Sequence, residues 1–269
     1  MQGIGNDFAV VDCRDNPLDL DASQIRRFGD RHFGVGFDQL LTIESPRDAS
    51  CAFRYGIFNA DGSASGQCGN GARCVTAWLH RAGALDAART KLESPSGPVS
   101  VEMLADERVR VDMGVPEFSP IRIPLLVESE TDPYRLDVCG QNIEFGAVAM
   151  GNPHAIIEVE DIASAPLDTL GAALSRDEHF PEGCNVGFAQ IVDRNRVHLR
   201  VWERGAGATL ACGSGACAAV AVLKRRGKLD ADAVVTLPGG ALDIQWHDDD
   251  KPIWMTGAAE FVFEGEIQL

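Results

Sequence analysis

The chain is written twice, and this constrains its fold more than any other feature of the sequence. Gly5-Asn6 recurs as Gly151-Asn152, each time leading into a strand-like run, Phe8 to Val11 and Ala155 to Val159. Gln39 and Asn185 each follow those asparagines by 33 residues, at the head of the β-like segments 40–43 and 186–189. Phe58-Asn59 and Trp202-Glu203 each close a strand and open a glycine-rich loop, and nine residues later stand Cys68 and Cys212. Each cysteine begins nearly the same phrase, Cys68-Gly69-Asn70-Gly71-Ala72 and Cys212-Gly213-Ser214-Gly215-Ala216. One such match is chance among common Gly and Asn residues; four in the same order, displaced by 146, 146, 144 and 144 residues, are not. Two homologous lobes follow, and 269 residues suffice for two domains of ordinary size.

After each cysteine phrase the pattern turns helical. Ala72 to Ala82 carries Val75, Trp78, Leu79 and Ala82 at helical spacing and stops at Gly83, a C-terminal cap residue. Ala216 to Arg226 stops likewise at Gly227, and because it is apolar on every face before its basic end, protein must wrap it. Around the two helices lie strand-like runs at 91–93, 99–104, 109–113, 197–202 and 234–237. With 28 glycines and 13 prolines the chain is punctuated by tight turns, which favours a sheet-rich fold over a bundle. The expected fold is mixed α/β (α+β): two pseudo-symmetric lobes, residues 1–113 and 114–257, each a curved mixed sheet around one central helix.

The sharpest chemical signal is the position of Cys68 and Cys212, each immediately before a glycine-rich turn into a helix. Free N–H groups and the positive end of the helix dipole stabilise an anion there, whether a thiolate or a substrate carboxylate. The glycines let a ligand approach the backbone closely. Cys74 and Cys217 fall within the apolar helices and read as small hydrophobes; packing is also the better reading for Cys13, Cys51, Cys139 and Cys184. No pair has Cys-x-x-Cys spacing, so neither a structural zinc nor a dithiol redox loop is indicated.

The charge and the apolar pattern remove other classes. Forty acidic residues against 24 basic ones give a formal charge of −16, a field that repels nucleic acid. No apolar run reaches membrane-spanning length and the N-terminus carries no signal-like stretch, so a cytoplasmic address is expected.

Asparagine beside glycine is ordinarily turn chemistry. The repetition of Asn6, Asn59, Asn152 and Asn185 at matched positions favours a shared binding role instead. Glu203-Arg204 reads either as a surface ion pair or as part of the loop leading to Cys212, where a planar guanidinium suits a carboxylate. His154, after Asn152-Pro153, is balanced between a structural and a functional histidine; the other five histidines have no comparable neighbourhood.

At these residues the chain resembles the diaminopimelate epimerase family. The phrases carrying the likeness are Gly3 to Phe8 (GIGNDF), Asn59 to Ser63 (NADGS), Gln67 to Arg73 (QCGNGAR), Met150 to His154 (MGNPH) and Glu203 to Gly215 (ERGAGATLACGSG). The resemblance implies interconversion of LL- and meso-diaminopimelate, for lysine and cell-wall synthesis, with no pyridoxal phosphate or metal. It implies that Cys68 and Cys212 are the paired acid and base and that His154 and Glu203 tune them. By the same resemblance Asn6, Gln39, Asn59, Asn70, Asn152, Asn185, Glu203 and Arg204 match substrate-binding positions, with Gly69, Gly213 and Ser214 contributing from the helix starts. It further implies a homodimer, and a last strand, near 258–269, that returns to the first lobe. The chain departs from the family's pattern in beginning almost at the first phrase and in having Phe37 where a small residue is usual.

Inverting a carbon centre needs a base on one face and an acid on the other, and reversing the reaction exchanges the roles, which suits two equivalent sulfurs. The alternatives are a two-cysteine epimerase for proline or hydroxyproline, a thiol redox protein using Cys68 and Cys212 as a switch, and an inactive amino-acid binder.

Overall fold

A computed structural model describes residues 1–66, 68–85 and 87–267. Gln67, which heads the first cysteine phrase, and residues 268–269, the end of the expected return strand, lie outside the described residues. The chain divides into two compact units, Met1–Asp112 with Thr256–Leu269, and Met113–Met255.

Unit 1 contains β1 (Gln2–Gly3), β2 (Asn6–Asp12), α1 (Ala22–Gly29), β3 (Gln39–Glu44), β4 (Phe53–Asn59), α2 (Gly69–Arg81), β5 (Arg89–Ser94), β6 (Gly97–Met103) and β7 (Val109–Asp112), its strands ordered as they occur in the chain. Unit 2 contains β8 (Tyr134–Val138), β9 (Gln141–Ala149), β10 (Pro153–Glu158), a short helical stretch ending in α3 (Ala172–Leu174), β11 (Asn185–Asp193), β12 (Arg196–Glu203), β13 (Gly207–Thr209), α4 (Gly213–Arg225), β14 (Asp232–Leu237) and β15 (Gly240–Gln245). Its strands lie in the order β15-β14-β12-β11-β10-β9-β8, with β13 paired to β12. The last strand, β16 (Trp254–Gly257), carries the chain from unit 2 back to unit 1.

The duplication extends to register. In unit 1, β2 runs parallel to β3 with Phe8 opposite Gln39, β3 antiparallel to β4, and β4 parallel to β5 with Phe53 opposite Leu92. In unit 2, β10 runs parallel to β11 with His154 opposite Asn185, β11 antiparallel to β12, and β12 parallel to β14 with Val197 opposite Val235. A slip of one residue would turn every side chain to the other face, so agreement in register preserves what each half points at its helix.

Each unit's strands enclose its helix. Helix α2 packs on β1, β2 and β3 from one part of the sheet and on β6 and β7 from the other, while α4 touches β9, β10, β11, β12, β14 and β15. Every residue of α4 from Gly215 to Leu223 is buried, as its apolar circumference requires. Its alanines bring the strands close, and Gly146 on β9 completes the fit: a Cβ there would lie 2.3 Å from Val222. Both helices end as their glycines predict. Gly83 and Gly227 adopt positive φ, 65° and 70°. Their N–H groups donate to His80 and Lys224, and those of Ala84 and Lys228 donate to Leu79 and Leu223, the paired bonds of a Schellman cap.

Two expectations need correction: Cys139, read as a packing residue, is exposed in the β8–β9 turn at positive φ, and the end of the chain, among the described residues, is not a strand. The segment after Gly257 belongs with unit 1, but among the described residues it forms a single antiparallel bridge, Gln2 with Glu260, and no strand. Its partner β1 is only two residues long, so the ladder has nothing further to pair with; beyond it Arg81 holds the segment by stacking on Phe261 and pairing with Glu264. Phe37, the departure from the family's pattern, is accommodated in the core of unit 1. It is buried with Ile25, Phe28 and Leu40, its ring edge-on to Phe28 at 5.5 Å, and α1 supplies the apolar face it needs.

Candidate active site

The matched registers gather the polar landmarks at one end of each unit's sheet. β2 and β3 are parallel and begin together, while β4, antiparallel to β3, ends beside them; Asn6, Gln39 and Asn59 therefore share that end. In unit 2 the same logic collects Asn152, Asn185 and Glu203. In each unit the chain leaves this end through a glycine-containing loop and re-enters as the helix that Cys68 or Cys212 precedes.

Both cysteines are N-cap residues with extended backbones, φ −146° for Cys68 and −129° for Cys212. The sulfur of Cys68 takes the place a Ser or Asp oxygen usually holds: it accepts the Gly71 N–H at 3.4 Å. The third residue of each helix is a glycine in a tight place: a Cβ on Gly215 would press within 3.1 Å of Cys212 Sγ and of Val201, and one on Gly71 within 3.1 Å of Leu41.

The surroundings of the two sulfurs differ. Cys68 is half-buried, and its thiol is 3.9 Å from Asn6 Oδ1, which also accepts from Asn70 Nδ2 at 3.3 Å. Asn70 is buried at the first turn of α2, next to Gly69, whose backbone is part of the same helix start. Gln39 donates to Asn59 Oδ1 at 2.8 Å, and Asn59 in turn donates to Ser63 at 3.0 Å.

Cys212 is 3% exposed and sits near the Glu203 carboxylate, with Ser214 Oγ at 3.7 Å and Gly213 beginning the helix. Burial first, and the Glu203 charge second, push its thiol well up, against the smaller opposing pull of Ser214 and the Gly215 N–H. Cys212 is therefore protonated at neutral pH. Glu203 is itself held by the Thr209 hydroxyl, 2.5 Å from Oε1, because β13 folds back along β12.

His154 is fully buried on β10, and desolvation, then the Arg204 charge, push its imidazole down to about 3. His154 Nε2 lies 2.9 Å from the Asn152 side-chain amide, and Nδ1 is buried without a hydrogen-bond partner among the described residues. Phe8 holds the equivalent position in unit 1, so the histidine is peculiar to unit 2.

Asn185 is buried and clamps backbone at both ends: it donates to Pro153 O at 3.2 Å and accepts the Arg204 N–H at 3.0 Å. Arg204 is exposed, and its Nη1 donates to Glu182 O at 2.8 Å. It borders an open cavity of about 570 Å³ within unit 2, lined also by Trp202, Phe180 and Gly183. Asn6 and Asn70 thus lie beside Cys68, with Gln39 bonded to Asn59 at the same sheet end; in unit 2 Glu203 and Ser214 adjoin Cys212, Asn152 adjoins His154, and the Arg204 guanidinium turns to the Glu182 and Gly183 carbonyls. The structure adds Thr209, Asp38 and Arg73 to these groups. Thr209 and Arg73 lie inside phrases that carry the resemblance and Asp38 precedes Gln39, but the sequence assigns none of them a role.

The family model described as diaminopimelate epimerase matches residues 1–119 and 146–262. The diaminopimelate epimerase of Xanthomonas axonopodis pv. citri is 52% identical over 267 residues, 99% of this chain and 94% of that protein; that of Xanthomonas oryzae pv. oryzae is 51% identical over the same shares. Among solved structures, a hydroxyproline epimerase from Agrobacterium vitis superposes with a TM-score of 0.69 at 15% identity, covering 96% of this chain and 87% of that one. A predicted epimerase from Pseudomonas aeruginosa gives 0.67 at 18% identity, covering 98% of each chain. Those two likenesses show a shared fold, whereas the family match and the near-complete relatives show descent: the chain belongs to the diaminopimelate epimerase family.

Proposed function

We propose that this protein interconverts LL- and meso-diaminopimelate by proton transfer between two cysteines, with no pyridoxal phosphate or metal. One observation carries the reading: two matched helices each begin at a cysteine, and the two sulfurs have opposite environments. Cys212, buried beside Glu203, is the resting thiol and donates a proton; Cys68, half-exposed and capped by a backbone N–H, is the resting base. After one turnover the roles are exchanged, and the reverse reaction starts from the other pair of states.

The α-proton of an amino acid is weakly acidic, so negative charge must be stabilised as it develops on the carboxylate side. The N–H groups at Gly69–Asn70 and Gly213–Ser214 are fixed donors for that charge. The neutral His154 and the Thr209-held Glu203 set the proton affinities in unit 2. The amides Asn6, Gln39, Asn59, Asn152 and Asn185, with the Arg204 fork, define the distal amino-acid end and so which stereocentre reacts. Such a set suits a substrate with a second charged end better than proline. The expected setting is cytoplasmic, in lysine and peptidoglycan precursor synthesis, and the expected assembly a homodimer; both rest on the family resemblance.

The test is proton NMR of LL-diaminopimelate with the purified protein and no added cofactor. Appearance of the meso isomer, its loss in folded Cys68→Ala and Cys212→Ala proteins, and no racemisation of proline are the expected results. A folded cysteine variant with near-normal turnover would remove the two-sulfur mechanism.

A further inference from the structure

Side-chain amides are nearly symmetric in shape, and a half-turn exchanges oxygen for N–H₂. The sense of an amide pair is therefore fixed only where its ends meet groups that cannot exchange. Asn6 and Asn70 form such a pair beside Cys68. At one end Arg73 Nη1 donates to Asn70 Oδ1 at 2.9 Å; at the other Asn6 Nδ2 donates to Asp38 Oδ2 at 2.9 Å. Between them Asn70 Nδ2 donates to Asn6 Oδ1. A guanidinium only donates and a carboxylate only accepts, so turning either amide sets N–H against guanidinium or oxygen against carboxylate.

Both ends are themselves anchored. Arg73 is fully buried, and its Nε donates to Ala258 O at 3.1 Å. Asp38 accepts from Arg31 at 2.8 Å and from the Asp7 N–H at 3.2 Å, while Arg31 also grips Asp7 through two bonds of 2.8 Å. The repeat isolates the device: at the matched positions unit 2 has Cys184 for Asp38, Ser214 for Asn70 and Cys217 for Arg73.

We propose that Asp38 and Arg73 are positioning residues for the first sulfur, fixing the Asn70–Asn6 pair so that an oxygen, not an N–H, faces Cys68. The inference rests on the reading of Cys68 as a proton-transferring group. Its chemical sense is a balance. The Gly71 N–H and the helix start favour the thiolate, and a thiolate stabilised too far is a poor base for a weak carbon acid. Asn6 Oδ1 favours the thiol and keeps the sulfur basic. Tyr55, on β4, and Cys74, on α2, are among the ionisable groups that feel the Cys68 charge.

The experiment is iodoacetamide alkylation of Cys68 against pH, read by peptide mass mapping, in the parent protein and in Asp38→Ala, Arg73→Lys and Asp7→Ala. Without the Asp38 carboxylate only the long 3.3 Å bond from Asn70 opposes a turn of Asn6 that offers its N–H to the sulfur, and the alkylation midpoint falls by on the order of one pH unit in Asp38→Ala. Arg73→Lys, whose ammonium still only donates, keeps Asn70 and Asn6 in the same sense and leaves the midpoint within a few tenths of a unit. Asp7→Ala removes an equal charge from the same arginine but leaves Asn6 held, so its midpoint stays within a few tenths of a unit. Equal shifts in Asp38→Ala and Asp7→Ala, or no shift in Asp38→Ala, would overturn the proposal. If Arg73→Lys does not fold, that comparison of the two aspartate variants decides alone. Turnover is measured separately: activity retained by Cys68→Ala would refute the proposed role of Cys68, while the alkylation profile would still report the amide sense.

Discussion

His154 shows how one buried side chain ties function to stability. Unfolded, its imidazole takes a proton near its ordinary 6.5; folded, it refuses one until about pH 3. Between those values the unfolded state binds the extra proton, so stability is complete above pH 6.5 and falls as pH drops through that window. The slope from this residue approaches 1.4 kcal/mol per pH unit, or about 2 kcal/mol by pH 5. Urea unfolding at pH 7 and pH 5 should therefore show a larger loss in the parent than in His154→Gln; equal losses would mean the ring is not held neutral. Arg204 poses a different test. Both of its bonds to backbone carbonyls leave from Nη1, so a planar fork remains to grip a carboxylate. Arg204→Lys should raise KM for diaminopimelate about tenfold or more, the cost of roughly one charge-assisted hydrogen bond, with a smaller change in kcat. Unchanged kinetics would make Arg204 a surface residue.

At the scale of the element, two glycines separate packing from chemistry. Gly146→Ala drives a Cβ into Val222 of α4, far along the helix from Cys212, and should cost about 1–3 kcal/mol in denaturant unfolding. Its turnover per folded molecule should be close to normal. Gly215→Ala places its Cβ 3.1 Å from Cys212 Sγ and from a methyl of Val201, a strain offset by an improvement in helix propensity of up to about 1 kcal/mol. It should lose roughly tenfold to a hundredfold in turnover with little loss of stability. If both variants lost stability and activity in proportion, the distinction would fail. Elements also show where the sequence was opaque. Helix α1 begins with a capping box, Asp21 with Gln24, a local signal that its short, polar-rich run otherwise hides. The β8–β9 hairpin turns on Cys139-Gly140, both at positive φ, with cysteine where Asn or Asp would have announced the turn.

Over the whole molecule, what was legible is what the duplication repeats: the strand starts at Gln39 and Asn185, the strand ends at Asn59 and Glu203, the capped helices and the two N-cap cysteines. What was not legible is what the repeats do not share. Asp38, Arg73 and Thr209 act through partners distant in the chain or across a strand pair, and nothing in their local spacing distinguishes them from solvated charges or a loop hydroxyl. The opposite environments of Cys68 and Cys212 likewise depend on burial, which two nearly identical phrases conceal. The same asymmetry makes the mechanism testable.

With two sulfurs, the one that removes the α-proton is not the one that returns it. In D2O the Cys212 thiol exchanges with solvent before it donates. Starting from LL-diaminopimelate, early meso product should therefore carry deuterium at the inverted carbon, while the remaining LL substrate stays protonated. Early-time proton NMR of both isomers, with the distal carbon as an unlabelled internal control, makes the measurement. Comparable early label in substrate and product, with product reversal shown to be slow, would contradict transfer between two cysteines.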